Sequence, residues 1–189
     1  MTKNEKKAAL GTVIESIGTT ETRVKYAVMN SLKGITKIER EILSLVKNTV
    51  FEALSVTGFV TYESTKIIED VVKGAIQATE EVGTGLILST KHVAKGIVMG
   101  IAAVDGDVGT AATQAVKSAV TGAAEVGADV ALVARRAVDG VIEATREMGG
   151  NVEEMAKAAV TGAIETAETI SNTAVKAVRD MLVGVVGGR

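Results

Sequence analysis

Apolar residues recur every 11 positions through residues 71–181, in two registers four positions apart. The first register holds Val71, Val82, Val93, Val104, Ala115, Val126, Ala137, Met148, Ala159, Ile170 and Met181. The second holds Ala75, Leu86, Ile97, Val108, Ala119, Val130, Val141, Val152, Ala163, Ala174 and Val185. Steps of four, three and four residues make three helical turns in each 11 residues, about 3.67 residues per turn, so the pattern predicts amphipathic helix. The period of two that a strand needs is absent. Apolar residues also fill the eighth and ninth places and often the second and sixth, so the strip covers nearly half the circumference. That is wider than a two-helix seam and suits a helix with two neighbours, or one lying on an apolar surface. Charges such as Lys73, Lys95, Lys117, Arg135, Glu143, Glu165 and Arg179 fall on the other side. The candidate apolar interaction face is Val71, Val82, Val93, Val104, Val108, Val126, Val130, Val141, Met148, Val152, Ile170 and Met181.

Two 11-residue halves make a 22-residue repeat, with copies opening at Val71, Val93, Ala115, Ala137 and Ala159 and a partial sixth at Met181. A period of this length points to a repeat architecture. Each second half opens with small or turn-forming residues: Val82-Gly83-Thr84-Gly85, Val104-Asp105-Gly106-Asp107, Val126-Gly127-Ala128-Asp129, Met148-Gly149-Gly150-Asn151, Ile170-Ser171-Asn172-Thr173. Glycine just past a helix end takes the left-handed capping conformation, so Gly83, Gly106, Gly127, Gly149 and Gly150 are candidate turns. Asp107, Asp129, Asn151 and Thr173 then stand where N-caps belong, and Asn151 with Glu154 resembles a capping box. This reading gives helices of roughly 18 residues folded into an antiparallel bundle. The alternative is an unbroken helix that tolerates its glycines and forms an extended assembly.

Upstream, residues 3–17 read as a short helix and residues 21–56 as a long one, with a break or a small-residue contact at Thr57-Gly58. Phe51, Phe59 and Tyr62 gather near that junction and read as core anchors. The chain therefore divides into an N-terminal helical segment, 1–59, and a repeat region, 60–189, within a single all-α domain.

Composition adjusts this picture in a few places. Aromatics are 2% of the chain against 47% hydrophobic residues, so the apolar strip is built from Ala, Val, Ile and Leu. There is no proline, which favours uninterrupted helix, while 20 glycines act the other way. Glycines at the fourth place of the repeat (Gly74, Gly96, Gly140, Gly162, Gly184) would permit close helix contacts. The net charge of −2 divides into +4 over residues 1–48 and −6 over the rest, without the concentrated basic face of a nucleic-acid binder. The apolar run after Lys3, Lys6 and Lys7 ends too soon, at Glu15, for a signal peptide. The longest charge-free windows, 53–62 and 96–104, are about half the roughly 20 residues of a transmembrane span.

Catalytic and metal chemistry find no constellation. Cysteine is absent and His92, the sole histidine, sits among polar places and reads as solvated. The usual zinc ligand sets therefore fail. Ser89 stands where a di-iron Glu-x-x-His motif would need its glutamate. Asp105-Gly106-Asp107 opens like a calcium loop, but Val116 occupies the closing glutamate position. Gly83-Thr84-Gly85 and Gly106-x-x-Gly109 lack the third glycine of a dinucleotide fingerprint. The expectation is a protein that is not an enzyme and carries no cofactor.

The segments Val72-Lys73-Gly74-Ala75, Val120-Thr121-Gly122-Ala123 and Val160-Thr161-Gly162-Ala163, in their 11/22 register, resemble the lipid-surface repeats of perilipins, synucleins and exchangeable apolipoproteins. They also resemble the repeats of late-embryogenesis-abundant proteins and, more loosely, of granule-coating phasins. The resemblance implies reversible adsorption to membranes, lipid droplets or storage granules, or protection during drying. A face richer in Val and Ile, and the missing proline punctuation, point instead to a stably packed bundle or assembly. The expected role is a structural protein that self-assembles as a homo-oligomer or coats an apolar surface. Its expected location is the cytoplasm or the periphery of a membrane or granule. The alternative is a soluble bundle with a stress-protective role or a site for a small apolar ligand.

Overall fold

A computed structural model describes residues 22, 24–26, 28–29, 38–57, 62–82 and 85–185, and every regular element among them is helical. Helical residues at 22, 24–26 and 28–29 precede α1 (Ile38–Thr57), α2 (Tyr62–Val82), α3 (Leu86–Ala102), α4 (Val108–Glu125), α5 (Val130–Glu147), α6 (Val152–Ile170) and α7 (Asn172–Leu182). The expected helix at 3–17, the continuity of 21–56 through residues 30–37, and the Gly58, Phe59 and Gly83 positions lie outside the described residues.

The hairpin alternative is the one the chain adopts. At the end of α4, Gly127 takes φ 68°, its N–H donates to Ala124 O at 3.2 Å, and Ala128 N–H donates to Ala123 O at 2.8 Å. At the end of α5, Gly149 takes φ 72°, with Gly149 N–H on Arg146 O at 3.2 Å and Gly150 N–H on Thr145 O at 2.9 Å. Both are glycine C-caps in which the left-handed residue lets the last carbonyls find donors. The end of α3 repeats the geometry with Asp105 in the left-handed place, at φ 54°. The next helices start on side-chain caps. Asp107, Asp129 and Asn151 accept from the amides of Thr110 (3.0 Å), Leu132 (3.0 Å) and Glu154 (3.2 Å). The expected fourth cap, Thr173, is displaced. No glycine lies in 170–173, so the chain turns at an extended Ser171, whose hydroxyl accepts from Ala174 N–H at 3.1 Å.

Each 22-residue unit from α3 to α6 is one helix plus one turn, and successive helices reverse direction. Each helix packs against the next and, in most cases more extensively, against the next but one. The result is two layers, α1–α3–α5–α7 and α2–α4–α6, with helices parallel within a layer and antiparallel between layers. The core fills the space between them. On α4 it takes Ala111, Ala112, Ala115, Val116, Ala119, Val120 and Ala123. These form two ridges at i, i+4 spacing, the rows that interlock between packed helices. Buried hydroxyls do not interrupt it: Thr145 and Thr166 donate to the carbonyls of Val141 and Gly162, four residues back in their own helices, at 2.8 and 2.9 Å.

Three of the fourth-place glycines, Gly96, Gly140 and Gly162, set the spacing within a layer. A Cβ on Gly96 of α3 would lie 2.8 Å from the Val46 side chain of α1 and 3.0 Å from Leu43 O. One on Gly140 of α5 would collide with the carbonyl oxygen of Lys91 on α3. One on Gly162 of α6 would lie 3.0 Å from the Thr113 side chain of α4. α3, α5 and α6 thus each seat a bare backbone against the helix two before, whereas α4 has Ser118 at that place. Gly184, expected to make such a contact, lies in the turn after α7 at φ 85° with no atom within 4 Å of a Cβ built there.

Candidate functional site

The residues read as one interaction face do not stay together. Val71, Val93 and Val141 are buried in the core, and Val141 is wholly inaccessible. Val108, Val130 and Val152 open α4, α5 and α6 and are half-buried. Val104 and Val126 lie at the C-terminal turns of α3 and α4, half-buried against the core edge. Met148, Ile170 and Met181 are 37%, 38% and 37% exposed. Val82 ends α2, and its side chain lies outside the described residues. The continuous strip is thus corrected: the turn in each second half resets the helical phase, so only first-half places sit in mid-helix. Phe51, expected as a core anchor, is 42% exposed on α1.

Two polar residues expected on the solvated side are buried. His92 is 8% exposed on α3, with Nδ1 3.1 Å from Leu88 O. Lys95 is 5% exposed, and its ammonium binds Glu143 at 2.7 Å and Glu147 at 2.6 Å, both on α5. Lys91 also pairs with Glu143. The reason is tertiary: α3 is flanked by α1 and α5 in its own layer and covered by α2 and α4 beneath. Burial works against the charge on Lys95, but hydrogen bonds and attraction from the two glutamates outweigh it and raise its pKa. The hydrogen bond from Lys91, then that from Lys95, hold the Glu143 carboxyl at about 2. This network clamps α3 to α5.

Beside it runs an open groove of about 640 Å³ lined by Lys91, Arg135, Asp139, Glu143, Arg146 and Glu153. Its cations are largely matched, Lys91 by Glu143 and Arg135 by Asp139 at 2.9 Å. A second groove of about 370 Å³ lies between α2 and α4, where Ile76 reaches over Gly122. Between the layers, a space of about 10 Å³ lined by residues such as Val72, Val93 and Val133 is no larger than one water. Among the described residues, no group of three His, Asp or Glu side chains is placed to hold a metal, and no helix is long and apolar enough to cross a membrane.

The arrangement best suited to a partner is the outer edge of α6. On α4, the side carrying Thr113 and Lys117 is covered by Gly162 of α6, and Lys117 pairs with Glu165 at 2.7 Å. Forty-four residues on, two repeats later, the same side of α6 carries Lys157 and Thr161, both exposed. Val116 and Val120 of α4 are wholly buried, while their counterparts Val160 and Ile164 are half-buried. The next helix, α7, packs on α5 and α6 in the other layer. Val160 and Ile164 lie within the apolar strip but not among its named candidate residues. Their signal was present in the second and sixth places, which are apolar in every copy.

No family model matches the sequence, and a search of curated proteins finds no relative. Among solved structures, the chain is similar to the crystal structure of the de novo designed helical repeat protein DHR7. The TM-score is 0.54 and the identity 18%, over 92% of this chain and 93% of that one. The likeness shows an all-helical repeat fold.

Proposed function

We propose that this chain is a non-enzymatic structural protein that acts by self-association of a packed helical repeat. The observation that carries the reading is the unfinished edge of α6, where Val160 and Ile164 stand half-buried at places that are sealed on α4. The centre of this edge therefore presents two aliphatic side chains that a second surface could bury, as the matching places are buried on α4. The other form of the role, a coat spread on an apolar surface, requires the layers to part so that Val71, Val93 and Val141 turn outward. Each such valine is stabilised in the core by about 1.5–3 kcal/mol, which favours the packed form unless the surface replaces every contact.

Sedimentation velocity across a concentration series, paired with circular dichroism with and without phosphatidylcholine vesicles, tests the reading. Self-association with unchanged helicity is expected. A monomer at about 50 µM, where a micromolar dimer would be filled, removes the proposal. A vesicle-dependent change in helicity without self-association transfers the role to the adsorbed coat.

A further inference from the structure

We infer that the α6 edge takes a second copy of itself, in a two-fold antiparallel pair of α6 helices. The inference rests on the self-association proposed above and names its surface. Val160 and Ile164 form the apolar centre of the edge. Lys157 lies about one turn before Val160 and Glu168 about one turn after Ile164, with side chains 59% and 54% exposed. An antiparallel copy centred near Gly162 brings Val160 against the partner's Ile164. The same alignment sets Lys157 against the partner's Glu168, twice by symmetry. A parallel copy would set lysine on lysine and glutamate on glutamate.

Stacking end on end fits less well. An end-on contact would have to pair Val160 and Ile164 with a different surface, at the opposite edge of the α2–α4–α6 layer, whereas a two-fold pair uses one surface on both copies. A self-complementary two-fold contact also closes on itself, whereas an end-on contact propagates into filaments.

Within one copy, Lys157 pairs with Glu153 at 2.6 Å and Glu168 with Arg179 at 3.2 Å. These are exposed pairs that contribute little to folding, so their charges can be reversed without unfolding the chain. The experiment is a charge swap on the full-length chain, read by sedimentation equilibrium, with helicity as the control for folding. Lys157→Glu alone and Glu168→Lys alone should each weaken the dimer about tenfold, since each replaces two attractions by two repulsions. Mixing the two variants should restore association to within about threefold of the unaltered chain, because both contacts in the mixed pair are attractive again. A dimer indifferent to both substitutions, or single-variant losses that mixing does not restore, overturns the inference but leaves self-association standing. A monomeric unaltered chain overturns both.

Discussion

Replacing Asp105 with glycine should stabilise the protein, although no contact is gained. Asp105 occupies the same place after α3 that Gly127 and Gly149 occupy after α4 and α5, with φ 54° against 68° and 72°. The hydrogen bonds match too, Asp105 N–H on Ala102 O at 3.1 Å and Gly106 N–H on Ile101 O at 3.0 Å. A residue with a Cβ in this region costs roughly 1–2 kcal/mol, with Asp toward the lower end. The carboxylate also stands at the negative end of the α3 dipole, an exposed placement unfavourable by about 0.3 kcal/mol. Glycine removes both costs but adds about 0.5–1 kcal/mol of unfolded-state entropy. The net gain is about 0.5 kcal/mol, a rise of roughly 1–2 °C in Tm for a chain of this size. Asp105→Asn should recover only the dipole part, and added salt should erase that part. In the mirror experiment, Gly149→Ala should lose about 1 kcal/mol, a drop of roughly 2–4 °C. No atom lies within 4 Å of a Cβ built at Gly149, so the loss there is backbone strain alone. Urea and thermal melts of the three variants decide the matter. A lower Tm for Asp105→Gly, or a higher one for Gly149→Ala, refutes the capped-hairpin account.

Gly140→Ala should lose about 2 kcal/mol by forcing α5 off α3, despite the intrinsic gain of about 1 kcal/mol for alanine in a helix. Equal stability in denaturant titration would mean that the α3–α5 spacing is not set there. Asn151→Ala should lower stability by about 1 kcal/mol through the lost cap on α6, a change that thermal melts resolve; no change would discount the cap. Glu143 ties stability to acid pH. Its carboxyl titrates at about 2 when folded against an ordinary 4.5, so between these values the unfolded chain binds more protons and stability rises with pH. The contribution is complete above 4.5 and lost as the pH falls through about 2. Glu143→Gln should flatten that part of the pH–stability curve, and an unchanged slope would show that the carboxylate is not held by Lys91 and Lys95.

What the sequence determined by itself is local. The 3.67-residue period required helix, because the spacing of apolar residues is a property of one segment and its own turns. Gly127, Gly149, Asp107, Asp129 and Asn151 marked turns and caps, because capping is a contact between residues a few positions apart. Of the fourth-place glycines, Gly96, Gly140 and Gly162 announced close approach without saying to what, while Gly184 stands in a turn with nothing near it. The tertiary structure decided the rest. Places 11 apart in the pattern looked equivalent, yet Val141 is sealed in mid-helix while Val130 and Val152 stand at helix starts. Phase along one helix cannot show where the chain reverses. Lys95 and His92 lie on a side that is polar in sequence and buried in fact, because α1 and α5 close over α3. The burial of a side chain depends on helices 22 and 44 residues away, and only stacking brings them near. The same stacking leaves Val160 and Ile164 half-buried, since α7 joins α5 in the other layer instead of lying beside α6 in its own.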